Sequence, residues 1–227
     1  MQRGAEYTIM LGGNELMSSR LSGSEEALGR WTCERLRNGS GAKLLIGGLG
    51  MGFTLRAVLA ALRADAEVVV AELVPGVVAW ARGPLATVFG ACLEDPRVRI
   101  FEGDVFDLIG LGRSRFDAIL LDVDNGPDGL TSGANQRLYG EAGLLRARDA
   151  LQPGGILSIW SSAPDKAFTE RLRRAEFAVE ELSVRAVSNG RGAHHVIWLA
   201  TKGFGERFTH QVTKEFPLER SLPPRKR

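Results

Sequence analysis

The sequence predicts an α/β protein built on a doubly wound, mostly parallel sheet, and three observations carry that prediction. Continuous apolar runs of strand length, such as 67–72 and 116–122, alternate with segments of helical periodicity, the pattern of strands covered on both faces. The apolar run Leu44-Leu45-Ile46 breaks into Gly47, Gly48, Gly50 and Gly52 and resumes at helical spacing, which reads as strand, tight turn and helix start. Acidic residues then stand just after three successive strand candidates, where an open parallel sheet binds its ligands.

Taken in order, residues 7–11 and 15–17 are short extended segments joined through Gly12-Gly13-Asn14, a β-hairpin signal. Ser22-Gly23-Ser24-Glu25-Glu26 offers a cap and an acidic first turn, so a helix is expected over 24–37, ended by Asn38-Gly39-Ser40-Gly41. After the glycine turn, Leu55, Val58, Leu59 and Leu62 define a crossover helix running to about residue 63. Residues 67–72 form the second strand of the sheet, and Pro75 opens a helix through Val77, Val78 and Trp80. Strands follow at 97–101, 116–122 and 155–160, with a helix over 135–151 before the last. The runs 177–187 and 193–200 are separated by a short Gly-containing turn, so they should close the sheet as an antiparallel hairpin. Three regions result: 1–40, an N-terminal hairpin and helix; 41–202, the Rossmann-like sheet region; and 203–227, a C-terminal extension.

Composition narrows the function classes. A chain of 227 residues accommodates one well-buried α/β domain, and 44% hydrophobic with 25% charged residues argues against disorder. Cys33 and Cys92 lack the paired spacing of a zinc site, and no metal is expected. No apolar run approaches the roughly 18 residues of a membrane span, and the first residues show no signal-peptide core, so no membrane association and a cytoplasmic location are expected. With 29 basic against 27 acidic residues, no global field draws in nucleic acid, which is not expected as a partner. The basic excess is local, at 223–227 and at Arg171, Arg173 and Arg174, and reads as solvated surface. The edge hairpin is open to pairing with a second copy, so a homodimer is one expected state.

The glycine turn has the spacing G-x-G-x-G at Gly48, Gly50 and Gly52. It differs from the dinucleotide fingerprint G-x-G-x-x-G and lacks the Lys-Ser/Thr of a phosphate loop. Glycines there let a ligand approach the backbone, and a nucleotide-type site is the first reading; a plain strand-to-helix connection is the other. Glu72 ends its strand 20 residues after Gly52, the distance at which an acid accepts ribose hydroxyls. Asp104 follows the next strand, and Asp122, with Asp124, the one after. Each has a structural alternative: a helix N-terminal charge for Glu72, a helix cap for Asp104, an Asx-rich turn for Asp122-Val123-Asp124-Asn125-Gly126-Pro127.

These residues resemble the class I methyltransferase-like (Rossmann-like) fold and, more narrowly, the spermidine synthase family of aminopropyltransferases. The similarity runs over about residues 7–201. It is carried by the turn 47–52, Ala71-Glu72-Leu73, Gly103-Asp104, the Asp122 loop with Leu138-Tyr139, and Leu151-Gln152-Pro153-Gly154-Gly155. The resemblance implies that the glycine turn backs a sulfonium nucleoside and Glu72 binds its ribose. It also implies that Asp104 reaches the adenine amine, with Leu73 and Val105 as neighbouring contacts, and that Asp122 faces the reacting end. The family turn resembles GGGDGG, with an acid for the aminopropyl ammonium; this sequence has Leu49 and Met51. The family loop resembles D-x-x-D-P; here the fourth position is Asn125 and Asp124 is shifted by one.

The expected chemistry is in-line displacement at a carbon on a sulfonium, with S-adenosylmethionine or its decarboxylated form as donor and a small molecule as acceptor. Asp122, with Asp124 as partner or alternate, is expected to take the proton of an amine nucleophile or fix a cationic amine. Asn125 and Tyr139 are substrate candidates; the alternative for Tyr139 is a packed aromatic. Because the turn acid is missing, methyl transfer to a small amine-containing molecule is the leading expectation. Aminopropyl transfer to a diamine is the alternative, and a non-catalytic family member the third reading. His194 and His195 open the last strand without further metal ligands in view and read as ordinary strand histidines.

Overall fold

The computed structural model describes residues 1–4, 6–11, 13–36, 40–123, 126–127, 137–186 and 192–204. Strands β1 (Gln2–Arg3), β2 (Glu6–Leu11) and β3 (Asn14–Ser18) form a small antiparallel sheet. Helix α1 (Gly23–Arg35) leads into alternating elements: β4 (Lys43–Gly47), α2 (Phe53–Ala61), β5 (Glu67–Glu72), α3 (Pro75–Arg82), α4 (Ala86–Phe89), β6 (Val98–Glu102), α5 (Val105–Ile109) and β7 (Phe116–Leu121). Helix α6 (Glu141–Ala150), β8 (Leu151–Ser161), α7 (Lys166–Arg174), β9 (Phe177–Arg185) and β10 (His194–Lys202) complete the described chain. The seven-stranded sheet has the order β6-β5-β4-β7-β8-β10-β9. Its first five strands are parallel, and β10 runs antiparallel to both β8 and β9. The strand order reverses between β4 and β7, the place where such sheets open a crevice at their carboxyl edge.

The strands are apolar throughout because alternate residues feed opposite cores. Leu44, Ile46, Val68, Val70, Ala118 and Leu120 join residues of α1, α2 and α3 on one face. Leu45, Ile119, Leu121, Leu157 and Ile159 join residues of α5, α6 and α7 on the other. The parallel hydrogen-bonded arrangement, the N-terminal hairpin and the C-terminal antiparallel pair all match the fold expected from the sequence. The two-residue β1 has no periodicity to read and was not anticipated. Strand β8 begins at Leu151 rather than Gly155 because its pairing with β7 jumps from Phe116–Leu151 to Ala118–Ile156, with Pro153-Gly154-Gly155 carried in the irregularity. Of the expected helix over 135–151, residues 135 and 136 lie outside the described residues, as do 205–227 of the C-terminal extension. Among the described residues, no helix is long and apolar enough to cross a membrane.

Helix α1 is held unusually close to α2. A Cβ on Gly29 would lie 2.9 Å from both the Ala57 Cβ and the Thr54 carbonyl oxygen, so the contact needs a residue without a side chain. Inside α1, Thr32 donates to the Leu28 carbonyl and meets the Ser158 hydroxyl of β8, each at 2.7 Å and buried. This packing fixes where the first turn of α1 stands against the sheet edge. Gly29→Ala would gain about 1 kcal/mol of helix propensity, yet overpacking against backbone costs about 1–3 kcal/mol. The expected outcome is a lower unfolding midpoint in urea, and a raised one would contradict this account of the helix contact.

Candidate functional site

The site is assembled by hydrogen bonds that continue the parallel ladder past the strand ends. The Gly48 N–H donates to the Ala71 carbonyl (2.8 Å), Asp122 N–H to the Gly47 carbonyl (2.9 Å), and Gly103 N–H to the Glu72 carbonyl (2.8 Å). These contacts bring the glycine turn, Glu72, Gly103-Asp104 and Asp122 side by side at the carboxyl edge, as the sequence implied. Gly48 has φ +91°, and a Cβ there would sit 2.2 Å from the Asp122 carbonyl oxygen. No other residue permits β7 to end so close to the turn. Gly50 and Gly52 share positive φ, and the turn closes with Gly52 N–H on the Leu49 carbonyl at 2.8 Å. The side chains between the glycines point inward: Leu49 and Met51 are 4% and 0% exposed. Met17 of β3 fills the space over Gly50.

Glu72 is buried, and both carboxylate oxygens accept backbone N–H groups, Oε2 from Leu49 at 2.9 Å and Oε1 from Val74 at 2.8 Å. It therefore clamps the glycine turn to the end of β5, and each oxygen keeps a second lone pair. Beyond it, Leu73 and Val74 stand exposed and Phe101 partly so, an apolar surface beside the clamp. Asp104 caps α5, accepting from Phe106 N–H at 2.9 Å, and its other oxygen pairs with Arg137 at 3.0 Å. The cap alternative read from the sequence is thus realised. Val105 is 5% exposed and packs beneath Gly47, facing the core rather than the edge.

Asp122 differs from Glu72 in having few donors. Its Oδ2 accepts from the Thr54 hydroxyl at 2.6 Å, and the same hydroxyl oxygen lies 3.2 Å from the Glu25 carbonyl oxygen. Removal from water outweighs that one hydrogen bond and raises the Asp122 carboxyl to about 6. Glu25, in the first turn of α1, is raised to about 7 by burial and by the charge of Asp122. The Ser24 hydroxyl donates to Glu25 Oε2 at 2.6 Å and meets His195 Nδ1 at 2.9 Å. The His195 ring stands edge-on to Trp160 with centroids 4.8 Å apart, and burial lowers its basicity.

Glu25 was not foreseen as a site residue, because in sequence it is one of two acids in a helix first turn, an ordinary position for a solvated charge. Only the α1–α2 contact turns it toward Asp122. Tyr139, a substrate candidate in the sequence with a packed aromatic as its alternative, is 1% exposed and packs edge-on against Phe168 at 5.7 Å, within the core beneath α7. Asp124 and Asn125 lie outside the described residues. A shallow depression of about 480 Å³ between α2 and residues 87–97 is separate from this edge, and its carboxylate, Asp95, is already matched to Arg97 at 2.7 Å.

Both raised carboxyls make a prediction about stability. An acid whose folded-state value lies above its unfolded value stabilises the fold when protonated, and that contribution is lost as pH rises through the folded value. For Asp122 the window runs from about 3.8 to about 6. Asp122→Asn should therefore lose less thermal stability than the wild type between pH 4.5 and pH 8, and an equal or greater loss would contradict the burial assigned to Asp122.

No family model matches the sequence. It is 35% identical over 98 residues to the polyamine aminopropyltransferase of Nitrosomonas europaea, a match covering 43% of this chain and 29% of that one. It is 32% identical over 120 residues to the polyamine aminopropyltransferase of Aeropyrum pernix, covering 52% of this chain and 37% of that one. The matched segments thus span roughly a third of these curated relatives. Among solved structures, the spermidine synthase from Thermotoga maritima superimposes with a TM-score of 0.67 at 21% identity, over 92% of this chain and 71% of that one. The O-methyltransferase TomG from Streptomyces achromogenes, in complex with SAM, gives 0.52 at 15% identity, over 79% of each. These findings correct the leading expectation of methyl transfer: the curated relatives are named aminopropyltransferases. The residues that favoured methyl transfer, Leu49 and Met51, are core side chains whose apolar character packing explains. Over the matched segments the chain is similar in sequence to polyamine aminopropyltransferases, and its fold is like that of the spermidine synthase structure.

Proposed function

We propose that the chain transfers an aminopropyl group from decarboxylated S-adenosylmethionine to an amine acceptor of the diamine class. The observation that carries this reading is the pair of partly buried acids, Asp122 and Glu25, at the reacting edge of the crevice. A donor that kept its own carboxylate would meet like charge there, whereas a decarboxylated donor and a cationic acceptor are both attracted. The names of the curated relatives support the same reading.

The residues present fit a sulfonium nucleoside. The glycine turn stands beside Glu72 at the carboxyl edge, and the free lone pairs of Glu72 suit two ribose hydroxyls. Leu73 and Phe101 provide an apolar surface for an adenine ring, with Asp104 at its rim. The bound donor supplies a carbon activated by its positive sulfur; the chain orients the partners, excludes water and takes a proton. Asp122 is the proton acceptor, because an ammonium cannot attack until it is neutral. Asp124 and Asn125, on the same connection, are assigned to the acceptor side. Residues 1–40 act as the substrate-side cover, for which the placement of Met17 over Gly50 is the support.

Incubation with decarboxylated S-adenosylmethionine and 1,4-diaminobutane should release 5′-methylthioadenosine, measured by chromatography with mass detection, only when both are present. Asp122→Asn should lower turnover about a hundredfold, the lower end of what a positioned base contributes. Turnover of intact S-adenosylmethionine, without turnover of the decarboxylated donor, would overturn the proposal.

A further inference from the structure

We propose that Glu25 is the second carboxylate of the acceptor site and that Ser24 and His195 carry the acceptor's proton from the carboxylate pair toward the edge of the sheet. The proposal rests on the aminopropyl-transfer reading and adds Ser24 and His195 to it. Four elements converge on the pair: the end of β7 with Asp122, the first turn of α2 with Thr54, the first turn of α1 with Ser24 and Glu25, and the start of β10 with His195. Thr54 donates to Asp122 Oδ2 at 2.6 Å, and its hydroxyl oxygen lies 3.2 Å from the main-chain carbonyl oxygen of Glu25, which sets the first turn of α1 beside Asp122. Ser24, fully buried, connects Glu25 Oε2 at 2.6 Å to His195 Nδ1 at 2.9 Å. Both contacts from Glu25 through Ser24 to His195 are within hydrogen-bond length.

Two features mark the chain as more than packing. A buried serine bonded to a carboxylate on one side and an imidazole on the other can pass a proton by reversing its hydrogen bonds, since a hydroxyl both donates and accepts. Trp160, packed edge-on to His195, buries its indole N–H without a partner among the described residues, a second sign that this face receives a polar ligand. The titratable groups around the chain are Glu25 and Glu26 on α1, Asp122 after β7, and His194 and His195 on β10. Burial raises both acids, so their charge is costly and an arriving cation relieves it.

The acceptor enters as R–NH3⁺ and gives one proton to the carboxylate pair. The freed nitrogen lone pair forms the N–C bond as the C–S bond breaks, and the sulfur keeps the electron pair of that bond as a neutral thioether. The product leaves as a secondary ammonium. The proton on the pair passes through the Ser24 hydroxyl to His195 and then to solvent.

The test uses the full chain with decarboxylated S-adenosylmethionine and 1,4-diaminobutane. Glu25→Gln should raise KM for the diamine at least about tenfold and move the acidic limb of the kcat/KM profile to lower pH, because Asp122 loses its like-charged neighbour. Binding of 5′-methylthioadenosine should stay within twofold of wild type. His195→Ala should lower kcat about tenfold at unchanged KM and recover with imidazole in the buffer, which a structural role would not do. An active wild type with unchanged KM and pH profile in Glu25→Gln, or with no imidazole rescue in His195→Ala, overturns the inference. Loss of turnover in the wild type itself would instead refute the aminopropyl reading. In that case the carboxyl carbon resonances of Glu25 and Asp122 decide the present claim: shifts on adding the diamine support it, and their absence overturns it.

Discussion

The approach of β7 onto the glycine turn is the constraint from which the rest of this site follows. Gly48 can sit against the Asp122 carbonyl only because it lacks a Cβ and adopts a left-handed φ, and the Asp122 N–H fixes that approach through the Gly47 carbonyl. From that contact, the Asp122 side chain falls beside Thr54 at the start of α2. The tight α1–α2 packing at Gly29 then delivers Glu25 and Ser24 to the same place. Two close contacts that require glycine thus set the positions of Asp122 and Glu25.

The three carboxylates named from the strand ends live in different electrostatic settings, and the difference assigns their work. Glu72 is buried but receives two backbone N–H bonds, which satisfy its charge and make it a rigid part of the turn. Asp104 is matched by a helix cap and by Arg137. Among the described residues, Asp122 has one hydroxyl donor and a second acid nearby, so its charge remains costly and a cation or a proton relieves it. A group held in that condition is suited to accept a proton near neutral pH, whereas the other two are suited to hold a ligand in place.

Much of this was legible in the chain because parallel sheets impose a simple rule. Buried strands read as continuous apolar runs, and ligand-facing residues stand just beyond them, so Glu72, Asp104 and Asp122 could be found by position alone. What failed was the direction of side chains next to those positions. Leu49 and Met51 lie between glycines with positive φ, a geometry that spacing does not encode, and they turn into the core. Val105 and Tyr139 were drawn into the site by adjacency, but each faces the hydrophobic side of its segment. Glu25 reads as a solvated helix charge and His195 as an ordinary strand histidine for the opposite reason. They are brought together through Ser24 across 171 positions by helix packing and the final strand, and no local pattern marks them.

The central claim is that the acids at this edge select a donor that lacks its own carboxylate. Native mass spectrometry of the purified chain, offered equal concentrations of intact and decarboxylated S-adenosylmethionine, tests it most directly. The account predicts that the complex with the decarboxylated donor dominates, by at least about tenfold, as one unfavourable like-charge contact of roughly 1.4 kcal/mol requires. Equal occupancy, or dominance of the intact donor, would contradict it.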